Sequence, residues 1–320
     1  MTDELLTVLR EHQGSFLSGE ELSRRSGVSR AAIWKQIEKL REQGYRIAAQ
    51  PHLGYQLVAA PDRLIPEELQ WGLATKVIGR RIYSYASTDS TMDIAHRLVA
   101  AGEAEGGAVF AERQTKGRGR LGRSWASPSG QGIYVSVIVR PKLALTSAPL
   151  LTILAAVSVV QAIRESTGLV AQIKWPNDVM IRERKVCGIL TELHTELNEV
   201  HAAIMGIGLN VNTARATLPK FATSLALERG VACDRVAVGK ALLTALDAWY
   251  LELRRHGAGP VVSAWKSASM TLGRRVRVVC YHGRHVDGHA ADLDGDGALL
   301  VRTDAGRVEP VTAGEVLIVR

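Results

Sequence analysis

The sequence predicts a multidomain α+β protein with a winged helix-turn-helix over residues 1–62, a mixed-sheet domain over 64–272 and a small β-barrel over 273–320. Three observations predict it. The 320 residues exceed one average domain, and a composition of 46% apolar and 22% charged residues is that of a globular chain. Capped helices and an alternating stretch open the chain, and consecutive strand patterns follow. Short strands separated by Gly-Arg and Asp-Gly turns end it.

The N-terminal domain begins with the start and stop signals of two short helices. Ser18 with Glu21 predicts a capping box for the first helix, and Gly27 supplies the turn after it. Ser29 then caps a second helix that ends at Gly44. Two short helices joined by so tight a turn are typical of a helix-turn-helix.

The second helix is predicted to be the DNA-reading helix. Ile33, Ile37 and Leu40 share one face at helical spacing and are expected to pack inward. The residues expected at the cap and toward solvent or a DNA groove are Ser29, Arg30, Lys35, Gln36 and Lys39.

A two-stranded wing is predicted after this helix, because residues 45–57 alternate around a turn at 51–54. Residues 59–62 are predicted to be a linker. Residues 1–60 carry eight Lys and Arg against seven Asp and Glu, a net charge of +1. This weak charge leaves open the alternative of a three-helix module that contacts only protein.

The rest of the chain is predicted from its periodicity. Strands of the central domain are predicted at 108–111, 133–139, 171–175, 179–182, 186–193 and 200–211. Its helices are predicted at 92–101, 149–167 and 235–256. Several strands are consecutive, so the class is α+β rather than doubly wound. Barrel strands are predicted at 276–281, 298–303 and 316–319.

Cysteine usage and hydropathy predict a cytoplasmic protein without a membrane segment. Cys187, Cys233 and Cys280 are odd in number and widely spaced, so they form neither a disulfide framework nor a zinc-ligand pattern. The N-terminus lacks a charged segment followed by an apolar one. The longest apolar stretch, 148–163, contains polar residues and is predicted to be a buried helix.

The most unusual feature is a window between Glu112 and Glu165 that contains eight basic residues and no acid, which matches the net charge of +8 of the whole chain. Five of the eight lie within 113–123, interleaved with three glycines. Glycine lets the backbone approach an anion, and arginine binds phosphate or carboxylate bidentately. The loop therefore predicts a site for a small anion, with a solvated surface turn as the alternative. Its glycine spacing also matches a dinucleotide fingerprint, but no ribose-binding acid follows at the required distance, and no Walker loop occurs.

A second candidate segment is Lys174-Trp-Pro-Asn-Asp178, where a strand ends sharply and Asn177 and Asp178 project from a turn. Residues 182–185 are predicted to connect the next hairpin and to return Lys185 to that turn. Two lysines beside an Asn-Asp corner favour a ligand-binding role over ordinary surface exposure.

Two further segments are candidates for ligand contact. In the strand 200–211, Gly206, Gly208 and Asn210 share one face, which suggests a ligand close to the backbone, with a β-bulge as the alternative. Ser90 precedes a predicted helix that also contains Asp93, so it is a helix cap, a ligand contact or both.

Two apparent metal motifs are interpreted differently. Residues 292–297 mimic the start of an EF-hand, but its twelfth position is Thr303 and the flanks have strand character, which predicts a hairpin turn. The remaining candidates are Cys280, His282, His285 and His289, which have no recognised zinc spacing. No protein metal site is predicted.

Segments 117–125, 174–178, 184–190 and 206–212, in this order, resemble the biotin–protein ligases. With a winged helix in front and a barrel behind, the whole chain resembles their bifunctional branch, in which a biotin–[acetyl-CoA-carboxylase] ligase is also the biotin operon repressor. The resemblance implies a class II synthetase-like catalytic domain of the biotin/lipoate ligase type and an SH3-like C-terminal barrel.

The resemblance also implies a reaction and its partners. The biotin carboxylate attacks the α-phosphate of ATP to give biotinyl-5′-adenylate and pyrophosphate, with Mg²⁺ bridging the phosphates. A lysine of the biotin carboxyl carrier protein of acetyl-CoA carboxylase then takes the biotin and releases AMP. The adenylate-bound form is expected to be a homodimer that binds operator DNA and represses biotin synthesis genes.

Site residues are implied by the same resemblance. Lys185, beside the biotin carboxylate, and Arg118 are the catalytic candidates. The residues implied around biotin are Ser90, Thr91, Met92, Gln114, Arg118, Gly119, Arg120, Trp125, Lys185 and Gly188. The residues implied around ATP are Arg118, Arg123, Asn177, Asp178, Asn210 and Phe221. Residues 220–225 are expected to cover the adenine. Met92 replaces an Asn that the family often has, so a polar contact near the ureido ring is missing or replaced.

Two rival hypotheses remain at the level of sequence. Lipoate ligases and octanoyltransferases share the expected fold, but they are expected to lack the Arg-Gly loop and the Lys-Trp-Pro-Asn-Asp motif. A transcription factor that senses an adenylate without turnover is the other rival. Retention of Lys185 and of the loop arginines argues against it.

Overall fold

The computed structural model describes residues 2–196, 199–280 and 283–319. The chain divides into two compact units, residues 1–63 and residues 64–320. Each unit has a hydrophobic core of its own.

The first unit is three helices followed by a β-hairpin. Its elements are α1 (Thr2–Glu11), α2 (Gly19–Ser26), α3 (Arg30–Glu42), β1 (Arg46–Gln50) and β2 (Gly54–Ala59). The two strands pair antiparallel. The predicted winged helix-turn-helix is therefore present, and α1 is an additional helix that was not predicted.

Most of the predicted helix caps of the helix-turn-helix are present in the structure. Ser18 Oγ accepts a hydrogen bond from the Glu21 N–H, and Ser29 Oγ caps α3 in the same way. Gly27 ends α2 with a left-handed backbone, φ 64°. The capping box is only half formed, because the Glu21 carboxylate pairs with Arg24 and Arg25 instead of turning back to the cap.

The exposed face of α3 differs from the prediction at one position. Arg30, Lys35 and Lys39 are exposed as expected, whereas Gln36 is half-buried and its Oε1 has no hydrogen-bond partner among the described residues. Gln36 lies within one helical turn of the buried stripe, which explains its partial burial. Trp34 was not predicted on this face, yet it is 55% exposed.

The second unit is built on a seven-stranded mixed sheet. Its strands are β3 (Arg81–Tyr85), β4 (Gly107–Ala111), β5 (Gly132–Val139), β6 (Gln172–Lys174), β7 (Asp178–Ile181), β8 (Arg184–Glu196) and β9 (Glu199–Asn210). The order is β3-β4-β5-β9-β8-β7-β6. β3 and β4 are parallel, and each of the other neighbours is antiparallel. The predicted α+β class is confirmed, with β3 as an additional edge strand.

Helices cover both faces of this sheet. They are α4 (Pro66–Leu69), α5 (Thr91–Ala100), α6 (Pro149–Thr167), α7 (Leu225–Arg229), α8 (Arg235–His256) and α9 (Ala258–Ala268). α5 packs on one face, whereas α6 packs on the other and is covered in turn by α8 and α9. Among the described helices, residues 145–167 alone are long and apolar enough to cross a membrane, with mean hydropathy 1.8. Because 67% of that stretch is buried inside the protein, it is the core helix predicted from the sequence.

The C-terminal part of the second unit is a five-stranded antiparallel sheet. Its strands are β10 (Arg275–Val279), β11 (His285–Leu293), β12 (Leu299–Arg302), β13 (Val308–Val311) and β14 (Glu315–Ile318), in the order β13-β12-β11-β10-β14. Asp294 Oδ1 accepts hydrogen bonds from the N–H groups of Asp296 and Ala298. The acidic run is thus a hairpin turn, as predicted. Of the proposed metal candidates, His282 lies outside the described residues.

Candidate active site

A small cavity of about 50 Å³ lies between the start of α5, the glycine-rich loop, β8 and β9. Its lining includes all ten residues that the sequence suggested around biotin, namely Ser90, Thr91, Met92, Gln114, Arg118, Gly119, Arg120, Trp125, Lys185 and Gly188. Leu190, the last residue of the segment 184–190, and Val135 also line it, although the sequence did not assign either to the biotin site.

A buried hydrogen-bond network fixes the polar wall of the small cavity. Ser90 Oγ caps α5 by accepting from the Met92 N–H at 3.3 Å. Gln114 Oε1 accepts from the N–H and the hydroxyl of Thr91, at 2.9 and 3.1 Å. Gln114 Nε2 donates to Ser127 Oγ at 2.9 Å, which sets the orientation of the amide. A wall with satisfied polar groups is preorganised to recognise one arrangement of donors and acceptors.

Two glycines make room for the ring of Trp125. A Cβ on Gly208 would lie 2.5 Å from the indole, and a Cβ on Gly188 would lie 2.9 Å from it. The pairing of β9 with both neighbours runs without a register shift through Gly206 and Gly208, so these glycines do not mark a β-bulge. The close approach inferred from the sequence is real, but in the structure a Trp side chain makes it.

A larger cavity of about 390 Å³ adjoins the small one. Five of the six residues suggested around ATP line it, namely Arg123, Asn177, Asp178, Asn210 and Phe221. Arg118 does not line this cavity. Its guanidinium donates to Asp93 Oδ1 at 2.5 Å and lies 3.9 Å from Glu192 Oε2. The structure therefore places Arg118 with the small cavity only.

Five residues line both cavities and define the junction between them: Gly119, Arg120, Trp125, Asn177 and Lys185. Lys185 Nζ lies 2.6 Å from Asp178 Oδ1 and 5.5 Å from the centre of the Trp125 ring. It is brought there by the predicted hairpin, whose two turn residues Arg182 and Glu183 have left-handed backbones. The side chain of Lys185 is only 22% exposed, so its charge is directed at the junction.

The glycine-rich loop is held on the far side by the C-terminal sheet. Arg120 Nη1 donates to Asn177 Oδ1 at 2.9 Å and to the Gly314 carbonyl at 3.3 Å. Arg123 forms a bidentate pair with Glu315 at 3.0 and 2.6 Å. Hydrogen bonding to Arg123 lowers the pKa of the Glu315 carboxyl, so this carboxylate stays charged in the loop's ion pair. Sequence reasoning missed both C-terminal residues, because no local pattern marks a contact between segments so distant along the chain.

The wall of the larger cavity opposite this loop is formed by residues 217–222. The Lys185 N–H donates to the Phe221 carbonyl at 2.9 Å, and the Thr223 N–H donates to the Lys185 carbonyl at 2.8 Å. Asn210 Nδ2 donates to the Thr223 carbonyl at 3.0 Å. The Phe221 side chain is 68% exposed. This wall and the junction lysine therefore share backbone hydrogen bonds.

Cys187 lies two residues after Lys185 but is not a nucleophile. Its thiol is buried, and burial raises its pKa far above the ordinary value, so the reactive thiolate does not form near neutral pH. The carboxylates at the larger cavity, Asp178 and Glu315, are each paired with a cation. Among the described residues no group of three or more His, Cys, Asp or Glu is arranged to hold a metal ion.

The two units together define a class of protein. A small polar-walled cavity joined to a larger one through a lysine and an arginine is suited to an enzyme that brings two anionic groups together, because the two cations offset their repulsion. In the same chain a winged helix-turn-helix precedes this site.

Comparison with known proteins agrees with that class. Residues 84–210 match the Biotin/lipoate A/B protein ligase family, residues 2–56 match an HTH domain and residues 271–319 match the Biotin protein ligase C terminal domain. The bifunctional ligase/repressor BirA of Bacillus subtilis is 38% identical over 307 residues, covering 95% of this chain and 94% of that protein. A biotin–[acetyl-CoA-carboxylase] ligase of Mycobacterium tuberculosis is 37% identical over 275 residues, covering 81% and 98%.

A solved structure is similar as well. The biotin protein ligase from Aquifex aeolicus in complex with biotin and ATP superposes with a TM-score of 0.64 at 30% identity, covering 75% of this chain and 99% of that one. This chain belongs to the biotin–protein ligase family, in the branch of the bifunctional ligase/repressors.

Proposed function

We propose that this protein is a cytoplasmic, ATP-dependent biotin–protein ligase that forms biotinyl-5′-adenylate and transfers biotin to a lysine of a biotin carboxyl carrier protein. The observation that carries the proposal is the position of Lys185, which lines both cavities at their junction. We assign biotin to the small cavity and ATP to the larger one. Three domains, over 1–62, 64–272 and 273–320, would serve DNA binding, catalysis and support of the glycine-rich loop.

In the first half-reaction the biotin carboxylate attacks the α-phosphorus of ATP, and the bond to pyrophosphate breaks. The carboxylate and the phosphates repel each other, so their approach requires positive charge between them. Lys185 and Arg120 supply it, and they also stabilise the charge that spreads over the transferring phosphoryl oxygens. Trp125 covers the junction and keeps water from the mixed anhydride.

In the second half-reaction the neutral amine of the carrier lysine attacks the acyl carbon, and the bond to AMP breaks. The amine loses a proton as the amide forms, and AMP leaves as the phosphate monoanion or dianion. Lys185 remains close to the leaving phosphate and stabilises its charge. The polar network around Gln114 would hold the ureido ring during both steps.

Mg²⁺ is proposed to accompany ATP rather than to occupy a protein cage. Asp178 and Glu315 are the carboxylates at the larger cavity, and both are engaged by cations, so the protein offers at most one or two oxygen ligands. This donor set fits an ion held mainly by phosphates and water. When bound, the ion would neutralise charge on the phosphates.

The purified protein is expected to catalyse exchange of pyrophosphate into ATP when biotin is added. Adenylate formation is reversible, so labelled pyrophosphate enters ATP only if the acid is activated. Lipoate serves as the control acid, because its dithiolane ring has no N–H or carbonyl group to pair with the polar wall of the small cavity. Absence of exchange with biotin would overturn the ligase proposal and would favour an adenylate sensor. Exchange with lipoate alone would favour a lipoate-type ligase.

The winged helix supports a second function, repression. We propose that the adenylate-bound protein dimerises and binds a two-fold operator through α3. Lys35 and Lys39 are exposed on α3, and the hairpin β1–β2 follows it as a wing. The exposed Trp34 adds an apolar side chain suited to a thymine methyl group.

Replacing Lys35 and Lys39 with alanine is expected to weaken operator binding and to lower its salt dependence, by about one unit of slope for each phosphate that is no longer bound. Footprinting and salt titration with saturating biotinyl-adenylate measure both effects. Arg255→Ala in α8 removes a positive charge outside the first unit and should leave both unchanged. Equal operator binding by the double variant and the wild-type protein would contradict the proposal that α3 contacts DNA.

A further inference from the structure

Glu228 is a buried carboxylate that no step described above uses. Its side chain is 1% exposed. Oε1 accepts hydrogen bonds from Arg184 Nη2 and from Thr223 Oγ1, both at 2.6 Å. Oε2 lies 3.7 Å from Arg182 Nη1 and has no hydrogen-bond partner among the described residues. One oxygen atom of Glu228 therefore joins two separate segments of the chain.

Those two segments are the ones that form the reaction junction and the nucleotide-side wall. Arg184 directly precedes Lys185 in the hairpin, and Thr223 directly follows the wall that carries Phe221. Between them run the two backbone hydrogen bonds that join Lys185 to Phe221 and to Thr223. Glu228 thus closes a small ring of contacts that contains the backbone of Lys185.

We propose that Glu228 is a positioning residue that holds Lys185 and the wall at residues 217–222 in one fixed relative geometry. This inference rests on the proposed ligase function and deepens it. The described lining of the two cavities does not include Glu228, Arg184 or Thr223. Any effect of Glu228 on ATP must therefore pass through Lys185 and the wall.

The physical cost of the arrangement argues for a positioning role. A carboxylate taken out of water loses solvation, and a buried ion pair often stabilises a fold no more than apolar residues of similar volume would. A charge-assisted hydrogen bond is, however, short and directional, so it fixes two segments more narrowly than apolar packing does. Narrow positioning has value where reacting atoms must be aligned, because a misplacement of about 1 Å costs roughly 10²-fold in rate.

The test compares Glu228→Ala and Arg184→Ala with the wild-type full-length protein in biotin-dependent pyrophosphate exchange. We expect kcat/KM for ATP to fall about 10- to 10²-fold in both variants. The affinity for biotin, measured by calorimetry, is expected to fall much less than kcat/KM for ATP, because Glu228 acts on the small cavity through Lys185 alone, whereas the wall at residues 217–222 lines only the larger cavity. A role in global stability alone would instead leave ATP kinetics of the folded protein unchanged.

Two further variants sharpen the result. Arg182→Ala is the matched control, because Arg182 is also close to Glu228 but forms no hydrogen bond with it, and we expect wild-type kinetics. Thr223→Val keeps the shape of the side chain and removes its hydroxyl, so it should show part of the Glu228→Ala effect. If Glu228→Ala does not fold, Arg184→Ala and Thr223→Val carry the test, since Arg184 is partly exposed.

The outcomes separate this inference from the proposed function. Wild-type exchange together with unchanged kcat/KM for ATP in Arg184→Ala and Thr223→Val would overturn the positioning role. A parallel loss of biotin affinity would also overturn it, because the damage would then be general. If the wild type shows no exchange, the ligase proposal fails, and calorimetric titration with ATP still decides whether Glu228 holds the wall.

Discussion

Replacing Lys185 with alanine is expected to slow adenylate formation by about 10²- to 10³-fold, the size of effect seen when one preorganised electrostatic donor is removed. Lys185 lines both cavities, and we propose that its ammonium group acts where the carboxylate and the α-phosphate meet. Its loss also leaves Asp178 without its partner, which adds an uncompensated negative charge at the junction. A single-turnover measurement with saturating biotin and ATP reports this rate directly.

The fold should survive this substitution. The backbone hydrogen bonds of Lys185 with Phe221 and Thr223 do not involve its side chain. The ion pair that the substitution removes is partly exposed on both sides, so its contribution to the free energy of unfolding is small. Lys116→Ala is the matched control, because it also removes a lysine from an ion pair, but Lys116 lines neither cavity and its ion pair with Asp89 is largely exposed. Near-normal single-turnover rates in Lys185→Ala would refute the assigned role.

Most of the fold was predictable from the sequence, because local residue patterns indicate its helices and strands. The helix 149–167 and the helix 235–256 were predicted with the bounds that the structure has, since each carries buried apolar residues along its length and ends just before a glycine. β3 was missed, because five residues at a sheet edge with a polar face resemble an ordinary loop. α1 was also missed, although Leu5, Leu6 and Leu9 form a buried apolar face at helical spacing.

The site was predictable where neighbouring residues in the sequence remain neighbours in space. The hairpin that returns Lys185 to Asp178 is such a case. The ion pairs of Arg118 could not be predicted in this way, because its acid partners come from α5 and β8, which are distant along the chain. No pattern in the sequence indicated a role for Glu228, since a lone glutamate in a short helix is normally exposed to solvent.

In the folded chain, basic residues of the acid-free window between Glu112 and Glu165 pair with acids from other segments. Lys116 pairs with Asp89, Arg118 with Asp93 and Arg123 with Glu315. The acids that pair with the cations of the loop therefore come from other segments of the chain, and these ion pairs hold the loop near both of its ends. The hydrogen-bond partners of Arg120 among the described residues are neutral oxygens, those of the Asn177 carboxamide and the Gly314 carbonyl. Arg120 and Lys185 both line the junction, and we propose that they are the cations that act on the two ligands there.

Replacing Gly208 with alanine is expected to lower kcat/KM for biotin by about 10²-fold, because it displaces the Trp125 ring from the junction. The new Cβ would lie 2.5 Å from Cε2 and Nε1 of the indole. β9 cannot yield, since Gly208 pairs with Tyr134 on one side and with Gly188 on the other. A rigid aromatic ring must therefore move, which opens the wall that both cavities share. Pyrophosphate exchange at varied biotin measures the loss, and tryptophan fluorescence reports the new ring environment.

Gly206→Ala is the matched control two residues earlier on the same strand face. There the new Cβ would meet Met92 Sδ at 2.7 Å and the Leu190 carbonyl oxygen at 3.3 Å, and the unbranched Met92 side chain adjusts more readily than an indole ring, so the loss in kcat/KM should be smaller. A double-mutant cycle identifies the cause. If the Gly208 effect arises from contact with Trp125, Gly208→Ala should add little in a Trp125→Ala background, because the two residues no longer touch. Additive losses would instead mean that Gly208 itself faces the ligand, and the sequence-based interpretation of a ligand passing over the strand would be the better account.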